Sequence, residues 1–340
     1  MDERAARPDL AEEGPDRGRG AHSPREVPPR GWKDVAVRTV RQSKADGVSL
    51  LAAGVAFYAL LALVPSLVAL VSLYGLVADP EDIERSIDDS LSAAPEEVRD
   101  LVSSQLSAIV ESEPSGLQLG VLVGVVVALW SASSGMKNLV LAVNLAYDEE
   151  EGRKFLKLRG LALAFTLGAV LLAGVAVAAV VLPRSFDGEG AEGVLRTALE
   201  IGRWPVLAVL GLLALTALYR WGPDRTAARW SWVSPGAVLA LVVAVVASVG
   251  FSIYTANFGS YNETYGALAA IVVVMLWLFL VAYAVIFGAE LNAELERQTA
   301  VDSTTGAPEP LGSRGAHAAD SVGRPTGRRF RRRGAHTAPG

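Results

Sequence analysis

The sequence predicts an all-α protein: a polytopic membrane bundle of six transmembrane helices, with an external amphipathic helical hairpin between the first and second spans. Three observations carry this. Apolar residues gather in six continuous runs, Lys and Arg concentrate in alternate connections, and the chain has no cysteine and only three histidines, all in hydrophilic tails (His22, His317, His336). The averages of 51% hydrophobic and 20% charged residues with a net charge of −5 would suit a soluble protein, but they conceal this segregation. Without Cys, disulfides and thiolate metal sites are excluded. Without His in the body, histidine general bases and His-rich metal centres are missing too. We therefore expect no enzyme activity, no metal and no cofactor.

Residues 1–31 are rich in Pro, Gly, Arg and Glu and lack apolar periodicity, so they are predicted to be a disordered tail. They also lack the apolar stretch and cleavage site of a signal peptide, which makes the first span an uncleaved signal anchor. The membrane domain is expected over 32–297. From Trp32 to Asp46 a polar or amphipathic helix is predicted, whose Trp32, Lys33, Arg38, Arg41 and Lys44 suit the membrane surface.

The six runs lie at about 48–76, 117–143, 159–182, 203–219, 234–256 and 265–289. At about 1.5 Å per residue each can cross a hydrocarbon layer of about 30 Å. Their continuity, rich in Ala, Leu and Gly, excludes the alternating pattern of a β-barrel. Of 31 Lys and Arg, 25 fall in the two tails and in the connections after the second and fourth runs, against four in the other three connections. By the positive-inside rule both termini are cytoplasmic. The long segment 77–116 has apolar Ile83, Ile87 and Leu91, then Val98, Leu101, Val102, Leu106, Ile109 and Val110 at helical spacing. Pro95 starts its second helix, with Glu96 and Glu97 at the favourable end. Its eleven acids against two Arg favour a cap on the bundle over a helix pair on anionic lipid.

Within the runs, Pro65 removes a backbone donor and predicts a kink, with Gly54, Tyr58 and Ser66 nearby. Gly116, Gly120 and Gly124 form a small-residue stripe, which points to packing within a subunit or in a homo-oligomer. Ser131, Ser134 and Asn138 belong to the most polar cluster in any run, as lining for a cavity or as interhelical hydrogen bonds. Lys137 beside them is placed to snorkel to lipid headgroups. Tyr254, Asn257 and Tyr265 flank the external turn before the last run, as an aromatic belt or a gate. No acid lies at the centre of a run, and Glu290 is placed at the cytoplasmic interface, which speaks against a relay of buried carboxylates. The tail 298–340 is predicted disordered and basic. Its Arg328, Arg329, Arg331, Arg332 and Arg333 are expected to contact anionic lipid rather than any specific nucleic acid.

The stretches Ala52 to Pro65, Trp130 to Arg159, Arg229, Trp230, Pro235, Gly236, and Tyr261 to Leu295 resemble the YihY/virulence factor BrkB family of polytopic bacterial inner-membrane proteins. The resemblance spans about 32–297 and implies six spans and an inner-membrane location. Val64 before Pro65, where Phe is more usual, is a departure. Members carried an older ribonuclease BN label, which the missing His and the short cytoplasmic loops contradict. The expected function is a transporter or permease for a lipid or other amphipathic substrate. The alternative is a noncatalytic protein of envelope integrity or partner binding.

Overall fold

The computed structural model describes residues 17–75, 117–181, 191–257 and 259–326, and among them the only regular elements are helices. A 3-10 turn at Pro24–Glu26 leads to α1 (Pro29–Ala45), then α2 (Val48–Gly75), α3 (Leu117–Ala146), α4 (Phe155–Val181), α5 (Ala191–Trp221), α6 (Trp230–Asn257), α7 (Gly259–Glu296) and a single turn, α8 (His317–Asp320). Each apolar run lies within or almost within one of the six long helices. The hairpin expected at 77–116 lies outside the described residues.

The helices overrun the apolar runs at predictable places. α5 starts twelve residues before Arg203, because Ala191 to Gly202 mixes helix formers with Glu192, Arg196 and Glu200, too polar for an apolar window. α7 continues seven residues past Ala289 through Glu290 to Glu296, again strong helix formers that a hydropathy limit cuts off. By length and composition, α4, α5, α6 and α7 contain stretches able to cross a membrane, and α1 with the start of α2 passes the same test as a pair bent by 63°. The bend falls at Gly47, whose φ of +64° favours glycine.

Each long helix packs on the next from α2 to α7, and α7 returns to α2, so the six close into a ring with α3 also touching α7. α6 and α7 cross closely at glycines: a Cβ on Gly236 would lie 2.1 Å from the Gly288 carbonyl oxygen, and one on Gly288 would lie 2.6 Å from that of Gly236. The core is small and aliphatic, built from Val48, Ala52, Val140, Val143, Val233, Ala237, Ala240, Ile286 and Ala289.

That core occupies one end of the ring. None of the described side chains is buried from Phe57 to Ala62 of α2, Val194 to Leu215 of α5, Leu241 to Tyr254 of α6 or Ile271 to Val281 of α7. At the packed end sit the two tails and the connections after α3 and α5, the four segments that the charge count groups together. Asp224 meets Asn144, Arg225 meets Glu296, and His317 meets Glu149.

The tails depart from the expectation of disorder over 17–31 and 298–326. The Arg19 Nη1 donates to the carbonyls of Arg297 and Gln298 at 3.2 and 3.1 Å, and Thr299 Oγ1 donates to Ala21 O at 2.7 Å. Gln298 Nε2 donates to Arg17 O at 2.8 Å. Thr326 and Arg17 both donate to the carboxylate of Asp34 on α1. Neither tail has the apolar content to fold alone. Together they satisfy each other's backbone over the end of α7, where burial is supplied by the helices.

Candidate functional site

The last two turns of α7 carry Glu290, Asn292, Glu294 and Glu296, all at most 3% exposed. The i, i+4 spacing places Glu290 with Glu294 on one side and Asn292 with Glu296 on the other. Asn292 serves α6: its Oδ1 accepts from Gly236 N–H at 2.7 Å and its Nδ2 donates to Val233 O at 3.0 Å. This clamp satisfies backbone groups beside Pro235, which itself donates nothing. Glu294 accepts from Arg38 of α1 and, at 2.7 Å, from Arg297 Nη1. Glu296 accepts from Arg225 Nη2 at 2.7 Å and from Ser303 Oγ at 2.6 Å.

Arg225 and Glu296 have side chains only 2% and 0% exposed. Burial opposes the charge on Arg225, and the Glu296 carboxylate outweighs it, holding the guanidinium above its usual pKa. The guanidinium carbon lies 5.0 Å from the ring centre of Tyr147. Tyr147 closes α3 and is fully enclosed, and burial raises its phenol above the ordinary range. Tyr219 Oη donates to Val285 O at 2.7 Å and joins α5 to α7.

Around this centre runs a collar of loop contacts. Asn144 Nδ2 donates to Glu151 Oε2 at 2.7 Å while its Oδ1 accepts from Asp224 N–H at 2.7 Å. Arg153 forks onto Glu151 at 2.7 and 2.6 Å and reaches Gly222 O at 2.8 Å. The hydrogen bonds from Arg153 hold the Glu151 carboxyl below its usual pKa. Asp148, with φ of 55°, receives Arg297, and burial pushes Glu149 up despite its bond from the His317 N–H. Arg19 is pushed down to about 10 by burial and then by Arg38. A polar surface pocket of about 280 Å³ lies beside the collar, lined by Thr226, Thr305, Ser313 and Arg314. Arg314 spends its donors on the carbonyls of Ala300, Glu309 and Ala319, so the pocket presents no free cation. Among the described residues no group of three or more His, Cys, Asp or Glu could hold a metal ion.

The residues singled out from sequence are dispersed. Ser131 is exposed, whereas Ser134 is half-buried and accepts from Arg159 Nη1 at 3.2 Å. Asn138 Nδ2 donates back to the Ser134 carbonyl at 2.8 Å. Arg159 also donates to Trp130 O and lies 4.3 Å from the centre of the Trp130 indole, so these polar groups tie α4 to α3. Tyr58 is 41% exposed, edge-on to Phe57, and its backbone passes Gly135 of α3 closely. Tyr254 is 44% exposed and stacked on Phe251. Lys137 is half-buried. Pro65, Gly120, Gly124, Asn257 and Tyr265 fall in described helices, but their side chains do not belong to the described set, and Gly116 and Arg328, Arg329, Arg331, Arg332 and Arg333 lie outside the described residues. Of the described side chains among them, none enters the buried cluster at the end of α7. The sequence signal for that cluster is the density of polar residues in ELNAELER, Glu290 to Arg297, directly after an apolar run.

The sequence profile of the family described as virulence factor BrkB matches residues 39–311. A ribonuclease-like protein of Bacillus subtilis, YfkH, is 32% identical over 255 residues, covering 72% of this chain and 89% of its own. A UPF0761 membrane protein of Alteromonas mediterranea is 26% identical over 261 residues, covering 75% and 85%. One from Vibrio cholerae is 34% identical over 142 residues, covering 41% of this chain and 46% of its own. No solved structure matches the chain. With the matched region running from α1 through all six long helices into the folded C-terminal tail, the chain belongs to the virulence factor BrkB family of membrane proteins.

Proposed function

We propose that the protein is a noncatalytic transporter or permease of the bacterial inner membrane, with six spans, both termini cytoplasmic, and a lipid or other amphipathic molecule as substrate. The observation that carries the reading is the asymmetry of the ring. Its charged end is sealed by the α7 cluster and both tails, whereas the described side chains of α2, α5, α6 and α7 toward the other end are all outside the buried core. A bundle packed at one end and loose at the other is the arrangement expected of one state in alternating access. The basic residues clustered at the sealed end support its cytoplasmic placement. The apolar exterior, with Trp221 and Trp230 flanking Arg220 at one rim, supports a lipid setting.

The test is reconstitution of purified protein in liposomes with headgroup-labelled lipids, osmolytes and ions presented in turn. Movement of one class above protein-free vesicles supports the reading. Absence of movement across the whole panel removes it. Removing 79–113 separates it from the partner-binding alternative, which that deletion abolishes, while a core transport activity survives it in altered form.

A further inference from the structure

Glu290 is the one member of the α7 cluster whose ionised form has no use in the fold. It is 0% exposed, and neither carboxylate oxygen accepts a hydrogen bond. Every other acid on those two turns has a cation or an amide donor. An ionised carboxylate enclosed without a donor is one of the most unfavourable groups a protein can hold, and such groups take up a proton instead.

Its surroundings point the same way. The charged and titratable groups that face it are Asp46 of the α1–α2 turn, Arg297 after α7 and Asp148 after α3, with the Tyr147 phenol close by. Arg297 is committed to Glu294 and Asp148. α2 and α6 contain no charged residue. Asp46 is partly exposed, and both its oxygens accept from Gln42 Nε2, at 3.1 and 2.9 Å, so its charged form has solvent and a donor. Of the two facing carboxyls, Glu290 is the one enclosed without a donor, so it is the one that takes the proton. A protonated Glu290 becomes an O–H donor, and Asp46 is the acceptor in place. A metal ion is the poorer occupant, since no group of three acidic, His or Cys ligands is present among the described residues and Arg297 contributes positive charge nearby.

We propose that Glu290 is a proton-binding site: it holds one proton against Asp46 while the charged end is sealed, and gives it up when the α1–α2 turn carries Asp46 away or the end opens to water. Its use in coupling substrate movement to protons rests on the transporter reading, while the existence of the site does not. The two carboxyls sit on separate elements, Asp46 at the 63° bend between α1 and α2 and Glu290 on α7, so a shift of the turn against α7 would part them.

The experiment is infrared difference spectroscopy on the full chain in lipid nanodiscs, titrated from mildly acidic to strongly alkaline solution. A protonated carboxyl band, shifted by 13C-glutamate labelling, should persist at about pH 7, where ordinary carboxyls have long been ionised, and vanish on further alkalinisation. Glu290→Gln should remove it, and Asp46→Asn should move its loss to lower pH. Should Glu290→Gln not fold, the labelled wild-type band and Asp46→Asn still decide. No glutamate band at neutral pH, or one unchanged in both variants, overturns the proposal. Vesicles that move no substrate although the band is present would sink the transporter reading alone. Flux without the band would sink the proton site alone.

Discussion

Removing the Arg225 guanidinium while leaving Glu296 in place is the sharpest probe of the sealed end. The two groups approach to 2.7 Å with side chains 2% and 0% exposed. At an effective dielectric of about 20 the gross attraction is about 6 kcal/mol. Much of it is offset by desolvation, so the relevant quantity is what one partner leaves behind. Arg225→Met keeps most of the aliphatic packing and strands a carboxylate whose remaining donor is Ser303 at 2.6 Å. Such truncations destabilise by about 3–5 kcal/mol. Loss of the cation over the Tyr147 ring adds about 1 kcal/mol. Thermal and denaturant unfolding of the protein in one detergent would read this out. The double variant Arg225→Met with Glu296→Met should recover most of the loss, because it removes both charges together. If Arg225→Met lies within about 1 kcal/mol of the wild type, the buried pair does not hold the end of α7 as described. An additive double variant would refute the coupling as well.

Other consequences follow from single contacts. Gly236→Ala should be among the most damaging small substitutions, by about 3 kcal/mol or more, since its Cβ would collide with Gly288 O at 2.1 Å; Gly250→Ala, with open space around it, should be nearly neutral in the same melting assay. The Arg153 hydrogen bonds hold the folded pKa of Glu151 below its unfolded one, so its contribution is present above the usual carboxylate range and lost as pH falls below that range through the folded value. Hydrogen exchange of the loop after α3 should therefore rise on acidification, and Glu151→Gln should flatten that dependence. Removing 299–340 withdraws Ser303 from Glu296 and the Thr299 bond to Ala21, and exchange in 17–28 should rise sharply while the outer halves of α4 to α6 stay unchanged.

The helices were legible because a membrane span must be a long apolar run, and each such run in the sequence sits on a helix. The grouping of segments was legible from Lys and Arg alone, and the contacts of Asp224 with Asn144 and of Arg225 with Glu296 join the same segments. The folded tails were not legible. Their order comes from Arg19, Gln298 and Thr299 bonding to distant backbone, and composition records no pairing between residues some 280 positions apart. Glu290 illustrates the same limit. Counting along α7 puts it at the membrane surface, where water is expected, but the segments gathered at that end bury it completely.

The proposed orientation puts the sealed, charged end in the cytoplasm. The chain has no cysteine, so single Cys substitutions can be labelled cleanly in intact cells with a membrane-impermeant maleimide. Ser90→Cys, in the acidic segment between α2 and α3, should label from outside. Exposed Ser313→Cys and Glu150→Cys, at the sealed end, should label only after the membrane is permeabilised. Labelling of Ser313→Cys or Glu150→Cys in intact cells, with Ser90→Cys protected, would place the sealed end outside and overturn this orientation.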